Sequence, residues 1–172
     1  MRLSTKGEYA SRAMLELSLR YADGPIHSRE ISKAQEIPQG FLEQILLLLK
    51  RAGYLKSRKG RNGGYVLAKP PGAINVAEVI RVMDGPLAPI DCVSIMAHEP
   101  CPMEKTCGLR WLWKEVRDSV AEILERTTFA DLVEKSGRSK DRHAGDGLTG
   151  GPTAKVPVRE NANSFIRSAS DT

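Results

Sequence analysis

The chain has 172 residues, the length of one ordinary domain with a short extension, and 41% of them are apolar while only 5% are aromatic. Because the sequence has no apolar run of about 18 residues and its first residues lack the apolar core of a signal peptide, we expect a cytoplasmic protein without a membrane partner. The net charge of +5 is uneven: residues 1–70 hold 13 Lys and Arg against 6 Asp and Glu, and residues 71–172 hold 13 against 15. This asymmetry favours a polyanion-binding module joined to a neutral one, although ordinary surface charge would give the same counts.

Three helices are predicted in the first 52 residues. The first begins at Ser4 or Thr5, Ser28 can cap the second, and Pro38 can open the third, which Gly53 follows. Apolar residues recur at helical spacing in each of them. The predicted buried positions are Ala10, Ala13, Met14, Leu17 and Tyr21, then Ile31 and Ala34, then Phe41, Leu42, Ile45, Leu48, Leu49 and Ala52.

A β-hairpin is predicted next. Two short strand-like runs, 54–57 and 65–68, flank a segment of basic and turn-forming residues at 58–64. A fourth helix follows, with Asn75-x-x-Glu78 as its capping pair and an apolar face at Val76, Val79, Ile80 and Met83.

The second half of the chain is predicted to hold an irregular loop at 85–107 and a long helix at 109–126. The apolar stripe of this helix is long for so small a domain, and a partner subunit is the simplest cover for it. Thr128-x-x-Asp131 can cap a last short helix that contains Leu132 and Val133. The stripe consists of Leu109, Leu112, Trp113, Val116, Val120, Ile123 and Leu124.

These elements define the predicted fold class and domains. The fold is mainly α with a small β-hairpin wing, that is, a winged helix-turn-helix followed by a long dimerisation helix. The predicted units are 1–84 for DNA binding, 85–108 as the cysteine loop, and 109–136 for dimerisation. From residue 137 the chain is polar and without periodicity, and we expect 137–172 to be a disordered tail.

The order of helix, helix, turn, helix and basic hairpin is typical of a DNA-reading module. Gln near the start of the third helix can bond adenine, and Glu can accept from the cytosine amino group, while wing cations can bind phosphates or a narrow minor groove. The alternative is a winged helix used for protein contacts. The candidate DNA-binding residues are Gln39, Glu43 and Lys50, beside Gly40 and Leu47 on the same helix face, and Arg58, Lys59 and Arg61 on the wing.

Three cysteines lie within sixteen residues, with the spacing Cys92-x8-Cys101-x5-Cys107. An odd number in a cytosolic chain argues against a disulfide framework, and the absence of a C-x-x-C pair gives little support to a zinc knuckle. Three thiolates on one loop can bind most of an iron–sulfur cluster if a fourth ligand comes from elsewhere. The alternatives are three reduced, partly buried cysteines or a thiol switch.

Residues 1 to about 135 resemble the bacterial IscR, NsrR and RirA regulators, the Rrf-two family. The glycine-rich wing and the three-cysteine loop together are quite specific. The resemblance implies a homodimeric transcription factor with an N-terminal winged helix, a long C-terminal dimerisation helix and often an iron–sulfur cluster. It is carried by residues 1–4 (MRLS), 41–45 (FLEQI), 49–55 (LKRAGYL) and 60–65 (GRNGGY).

The fourth cluster ligand stays open. Some members of the family place a His shortly after the third cysteine, but residues 108–111 read GLRW here. Others use an acidic residue early in the first helix of the partner subunit, a place that Glu8 occupies, although Thr5-x-x-Glu8 is also a capping box. His98 lies between cysteines and is a second candidate ligand, although an exposed loop residue is the expected role. No partner is visible for His27 or His143, and Trp111 and Trp113 are expected to pack or to form an interface.

The sequence therefore predicts a homodimeric transcriptional regulator, expected to be a repressor, that binds a double-stranded DNA operator. The resemblance implies that a [2Fe-2S] or [4Fe-4S] cluster sets its operator affinity and senses iron, redox state or nitric oxide. The alternative is a winged-helix regulator without a cluster that senses through thiol oxidation. Because no catalytic constellation or phosphate loop is present, we expect no enzyme. An iron–sulfur or zinc enzyme using cysteine chemistry is the remaining alternative, and the basic wing speaks against it.

Overall fold

The computed structural model describes residues 3–60 and 62–137, which form six α-helices and one antiparallel hairpin. This confirms the mainly helical fold with a small wing. Short 3-10 turns at 21–23, 71–73 and 91–93 connect the elements. The elements are α1 (Thr5–Leu19), α2 (Ser28–Gln35), α3 (Gln39–Arg51), β1 (Leu55–Arg58), β2 (Gly64–Leu67), α4 (Val76–Asp84), α5 (Gly108–Arg126) and α6 (Phe129–Lys135).

Helix α1 lies at the centre of the core. It packs against α2, α3, α4, α6 and β2, and its predicted apolar face from Ala10 to Leu17 is buried. The inclusion of Tyr21 in that face is wrong, because α1 ends at Leu19 and Tyr21 is exposed in the following turn. Arg20 stabilises this turn through ion pairs with Asp23 at 3.3 Å and Glu30 at 2.9 Å.

The N-terminus of α1 is capped by Ser4, so the Thr5-x-x-Glu8 capping box is wrong. The Ser4 hydroxyl accepts from the Gly7 N–H at 3.0 Å and donates to the Asp84 carboxylate, which also accepts from the Ser4 N–H at 3.0 Å. The start of α1 is thereby bound to the end of α4. The Glu8 side chain, which is not part of the cap, is exposed and forms an i,i+4 ion pair with Arg12 at 3.7 Å.

Helix α2 begins at Ser28, one residue earlier than predicted, because Ser28 was expected to be its cap. His27 is the N-cap residue, and its N–H donates to the Glu30 carboxylate at 3.4 Å, so the assignment of the cap to Ser28 is wrong. His27 is also no longer without a visible partner. Ile31 is buried as predicted, but Ala34 is exposed because only one turn of this short helix faces α1 and α3.

Helix α3 follows Pro38, which is its N-cap residue rather than its first residue. The buried face is rotated slightly from the predicted one, so that Leu46 is fully buried whereas Phe41 and Ala52 are exposed and Leu48 is half-buried. Gly53 follows the helix with a φ of 84°, as expected for a glycine at this position.

The wing strands are shifted by one residue from the prediction, and Leu55 pairs with Leu67. Arg58 therefore belongs to β1 rather than to the tip. Ile26 acts as a short third strand, because its backbone exchanges hydrogen bonds of 3.0 and 2.9 Å with Tyr65. This contact requires Gly64, since a Cβ there would lie 2.4 Å from the Ile26 carbonyl oxygen.

The last helix closes the core. Thr128 and Asp131 form the predicted capping box, and hydrogen bonds from the Thr128 hydroxyl and N–H hold the pKa of Asp131 below its usual range. The cap sets Phe129 into the core, where it is fully buried beneath α1; the sequence analysis missed this residue.

The capping role of Asn75 at the start of α4 is confirmed, since its side chain accepts from the Glu78 N–H at 2.9 Å.

The long helix α5 follows its predicted bounds within one residue, and none of its residues is fully buried. Leu109, Leu112 and Ile123 are 63%, 43% and 51% exposed.

In the part of the chain that the structure covers, no helix combines the length and apolar character that a bilayer crossing requires. The predicted tail from residue 138, with His143, lies outside the described residues, and the division into domains stays a prediction.

Candidate DNA interface and cysteine loop

The outer face of α3 is polar and open to solvent. Glu43 and Lys50 are exposed, and Gln39 is half-buried at the first position of the helix. Gly40 and Leu47 lie on the same face and are also exposed. The structure therefore brings together the three α3 residues that the sequence predicts for base reading.

Gln39 and Glu43 form a pair whose orientation is already fixed. The Gln39 amide nitrogen donates to the Glu43 carboxylate at 2.6 Å and to the Ser28 hydroxyl at 2.9 Å. The second bond ties the start of α3 to the start of α2. Because both hydrogens of the amide are engaged, Gln39 must exchange at least one of these bonds for a base edge if it reads adenine.

Positive charge on the wing is not neutralised by nearby carboxylates. Arg58 and Lys59 are exposed at the end of β1, and within residues 3–60 and 62–137 no Asp or Glu forms an ion pair with either of them or with Lys50. Arg61 lies outside the described residues. Such cations are available for phosphates.

Two further exposed cations, Arg29 and Lys33 on α2, were missed by the sequence analysis. The first helix of a helix-turn-helix crosses the DNA backbone, so their position on that helix was the available signal.

The three cysteines lie on one irregular segment but not at one point. Cys92 and Cys101 line an open cleft whose walls include Asp91 and Glu99, whereas Cys107 is the N-cap residue of α5 and does not line that cleft. None of the three is in a disulfide. The thiols suit an iron–sulfur cluster by their chemistry. Their arrangement does not, because no three His, Cys, Asp or Glu side chains of the described residues are close enough together to hold a metal ion.

The two other candidate ligands are engaged elsewhere. Glu8 pairs with Arg12, and His98 is exposed, as predicted, with its Nε2 3.2 Å from the Glu104 carboxylate. Glu104 also pairs with Arg110 at 2.6 Å, which ties this part of the loop to the first turn of α5. A single described chain thus does not assemble the predicted ligand set.

The cysteine loop is fastened to both of the helices that it joins. Next to Cys92, Val93 is buried, and its carbonyl accepts from the Arg117 guanidinium on α5. Leu87, three residues after α4, is buried in the main core. Arg81 on α4 pairs with Glu125 on α5. The loop, the Arg81–Glu125 pair and the packing of Leu124 together hold α5 against the winged unit.

The protein family of this chain follows from comparison with known proteins and not from the geometry alone. A sequence model of the Rrf2 family, described as "Iron-dependent Transcriptional regulator", matches residues 3–135. The chain belongs to the Rrf2 family. It is therefore a transcriptional regulator, and the resemblance found in the sequence is confirmed. Its relatives CymR and IscR are named as transcriptional regulators rather than as enzymes.

Individual relatives agree with this assignment. The chain is similar to the transcriptional regulator CymR of Bacillus subtilis, with 37% identity over 77% of this chain and 90% of the relative. It is also similar to IscR of Yersinia pestis, with 35% identity over 77% and 79%. Among solved structures, B. subtilis CymR, titled a global cysteine regulator, has a TM-score of 0.67, 36% identity and coverage of 78% and 98%. IscR of T. potens has a TM-score of 0.64, 30% identity and coverage of 81% and 91%.

The Gln39–Glu43 pair leads to a prediction about base preference. Gln39→Ala and Glu43→Ala should each change the preferred base at neighbouring operator positions by about 1–3 kcal/mol of discrimination. Because the two side chains are bonded, their effects should not add, and a double-mutant cycle should give a coupling energy of about 0.5–3 kcal/mol. Binding to an operator library measures both quantities. Additive effects would show that the pair does not act as a unit on DNA.

Proposed function

We propose that this Rrf2-family chain binds a double-stranded DNA operator as a homodimer and represses transcription by occupying it. Helix α3 enters the major groove with Gln39, Glu43 and Lys50, and the wing reaches an adjacent groove or the backbone with Arg58, Lys59 and Arg61. The observation that carries this proposal is the exposed polar face of α3, which begins with the preoriented Gln39–Glu43 pair. The wing cations Arg58 and Lys59, which pair with no Asp or Glu of the described residues, support it.

Substitutions in the wing provide the first test of DNA binding. Replacing Arg58, Lys59 and Arg61 together by Ala should weaken binding to every sequence, because cations that bind phosphates release counterions. The slope of log affinity against log salt should flatten by roughly one unit for each phosphate that is no longer bound. Fluorescence anisotropy at several salt concentrations measures this. Lys135→Ala, on the distant α6, removes one positive charge and serves as the control. Unchanged affinity and slope in the triple variant would remove the wing from the interface.

Dimerisation is proposed to use the exposed stripe of α5. Leu109, Leu112 and Ile123 project from one side of the helix and leave an apolar surface of a kind that monomers rarely expose. Leu124, which was predicted to belong to the stripe, packs against the core of its own chain, so the exposed part of the stripe at Leu109, Leu112 and Ile123 is left for a partner. A second copy of α5 would cover it in a symmetric contact.

Ile123→Glu should give a monomer and abolish operator binding, because the two half-sites must be read together. Lys114 lies nine residues, or two and a half turns, before Ile123 and is therefore on the opposite side of the helix. Lys114→Glu is the matched control and should stay dimeric. Light scattering at micromolar concentration reports the mass of each protein. A monomeric wild type would contradict the dimer.

The cysteine loop is proposed to be the sensing segment. The first candidate for the sensing group that it binds is an iron–sulfur cluster, [2Fe-2S] or [4Fe-4S]. Cys92, Cys101 and Cys107 would hold the cluster, with Glu8 of the second subunit as a fourth ligand. Such a cluster would supply redox and ligand-exchange chemistry. The support is the iron-dependent description of the family, the similarity to IscR and three thiols outside any disulfide. The dispersed thiols mean that the loop must rearrange to gather them.

The chain's own residues transmit a change in this loop. Arg117 holds the loop backbone at Val93, and the buried Leu87 holds its other end against α4 and the core. When the loop rearranges, α5 moves relative to the winged unit, and the separation of two reading helices in a dimer changes with it. Coupling between distant sites is typically worth about 1–3 kcal/mol.

Thiol oxidation without a cluster is the second candidate. It is favoured by one observation: Cys92 and Cys101 line the same open cleft, where an oxidant can reach both. The CymR relative of B. subtilis, titled a cysteine regulator, and a structure titled as the oxidized form of Staphylococcus aureus CymR, 32% identical, are consistent with it.

Purification without air separates the two candidates. The cluster proposal predicts a visible chromophore with stoichiometric iron and acid-labile sulfide, and loss of both in each Cys→Ala variant. Glu8→Ala should leave a cluster that is more labile but still coloured. The thiol proposal predicts a colourless protein in which one peroxide oxidises Cys92 and Cys101 to a disulfide, with release of two waters and loss of two titratable thiols, and in which Cys92→Ala or Cys101→Ala forms no such intramolecular disulfide. A colourless protein that is indifferent to peroxide would contradict both.

A further inference from the structure

Arg12 on α1 forms a hydrogen bond to the C-terminal end of α2. Its guanidinium Nη2 donates to the backbone carbonyl of Gln35, the last residue of α2. The Gln35 side chain is buried and donates to the carboxylate of Glu16, one turn further along α1, at 2.9 Å. Two polar contacts therefore fix the end of α2 on α1, and one of them satisfies a carbonyl that the helix itself leaves unpaired.

The same arginine also contacts the start of α3 through an aromatic pair. The Arg12 guanidinium lies 5.7 Å from the centre of the Tyr9 ring. Tyr9 meets Phe41, in the first turn of α3, edge to face, with ring centres 5.6 Å apart and an interplanar angle of 87°. This contact explains why an apolar residue outside the core occupies position 41.

The segment between these two anchored points is short and tightly bonded. Only three residues, Glu36 to Pro38, separate α2 from α3, and Glu36 is in the left-handed region with a φ of 53°. The Ser32 hydroxyl donates to the Ile37 carbonyl at 2.7 Å, and the Ile37 N–H donates to the Ser32 carbonyl at 3.0 Å. A displacement of Gln35 is therefore passed directly to Gln39 at the start of the reading face.

We propose that Arg12 is a positioning residue for the reading helix: it sets the placement of α3 on α1, and with it operator affinity, without touching DNA. The inference rests on the proposed DNA-binding function. Its guanidinium is committed to the Gln35 carbonyl and the Tyr9 ring, which connect α1 to the end of α2 and the start of α3. The ion pair with Glu8 at 3.7 Å is exposed and adds little.

The test compares two substitutions of Arg12 with a charge-matched control on the same helix. Arg12→Ala removes the guanidinium and every bond that it makes, and Arg12→Lys keeps the positive charge but loses the planar fork. Lys6→Ala, also on α1, removes one positive charge at an exposed position. Anisotropy titrations of operator and of random-sequence DNA at several salt concentrations, below the melting temperature of each variant, give specific affinity, non-specific affinity and salt slope.

Arg12→Ala should lower operator affinity about tenfold while non-specific affinity and salt slope stay those of Lys6→Ala. Arg12→Lys should also lower operator affinity without changing non-specific affinity or salt slope, but by a smaller factor. If Arg12→Ala fails to fold, Arg12→Lys alone tests the proposal. A fall in slope of about one unit would identify a direct phosphate contact and overturn the proposal. Operator affinity equal to wild type, with only a lower melting temperature, would also overturn it by showing a purely structural role. If wild type itself does not discriminate operator from random DNA, the proposed function fails instead.

Discussion

The burial of one face of α1 is the constraint on which the rest of the molecule depends. Ala10 and Ala13 are small enough to let neighbouring helices approach closely, and Met14 and Leu17 fill the space between them. The hairpin strand β2, the helices α2, α3 and α4, and the terminal α6 all pack against this face. Residues before and after the cysteine loop therefore share one core, which α5 contacts through Leu124 without contributing a fully buried residue.

This arrangement places α1 between the proposed sensor and the reading helix. At its start, Ser4 is bonded to Asp84, the last residue of α4, immediately before the cysteine loop begins. Further along, Arg12 is bonded to the end of α2. One rigid helix thus touches both segments, and a packed helix transmits a displacement instead of absorbing it. No contact between cysteine loop and wing is needed for coupling.

Sequence periodicity and capping motifs predicted the elements to within one or two residues, because these signals are local. The Asn75 and Thr128 caps were found in this way. Errors arose where a partner distant in sequence decided the outcome: Asp84 helps to hold Ser4 as the cap of α1, and the core beneath α1 takes in Phe129. The reading face of α3 followed from its helical period, but the bond from Gln39 to Ser28 did not, because it joins two helices. The three thiols were expected to lie close together because the cysteines are close in the sequence. Sequence spacing alone does not determine the path of an irregular loop.

We propose that the state of the cysteine loop sets the affinity of the winged unit for DNA. The most direct measurement titrates one operator fragment, at one salt concentration, with protein purified without air, with the same protein after iron chelation, and with the same protein after peroxide treatment. At least one treatment should change the dissociation constant by roughly 5–150-fold, and the change should be abolished in Cys92→Ala. Equal affinities in all three states would contradict it.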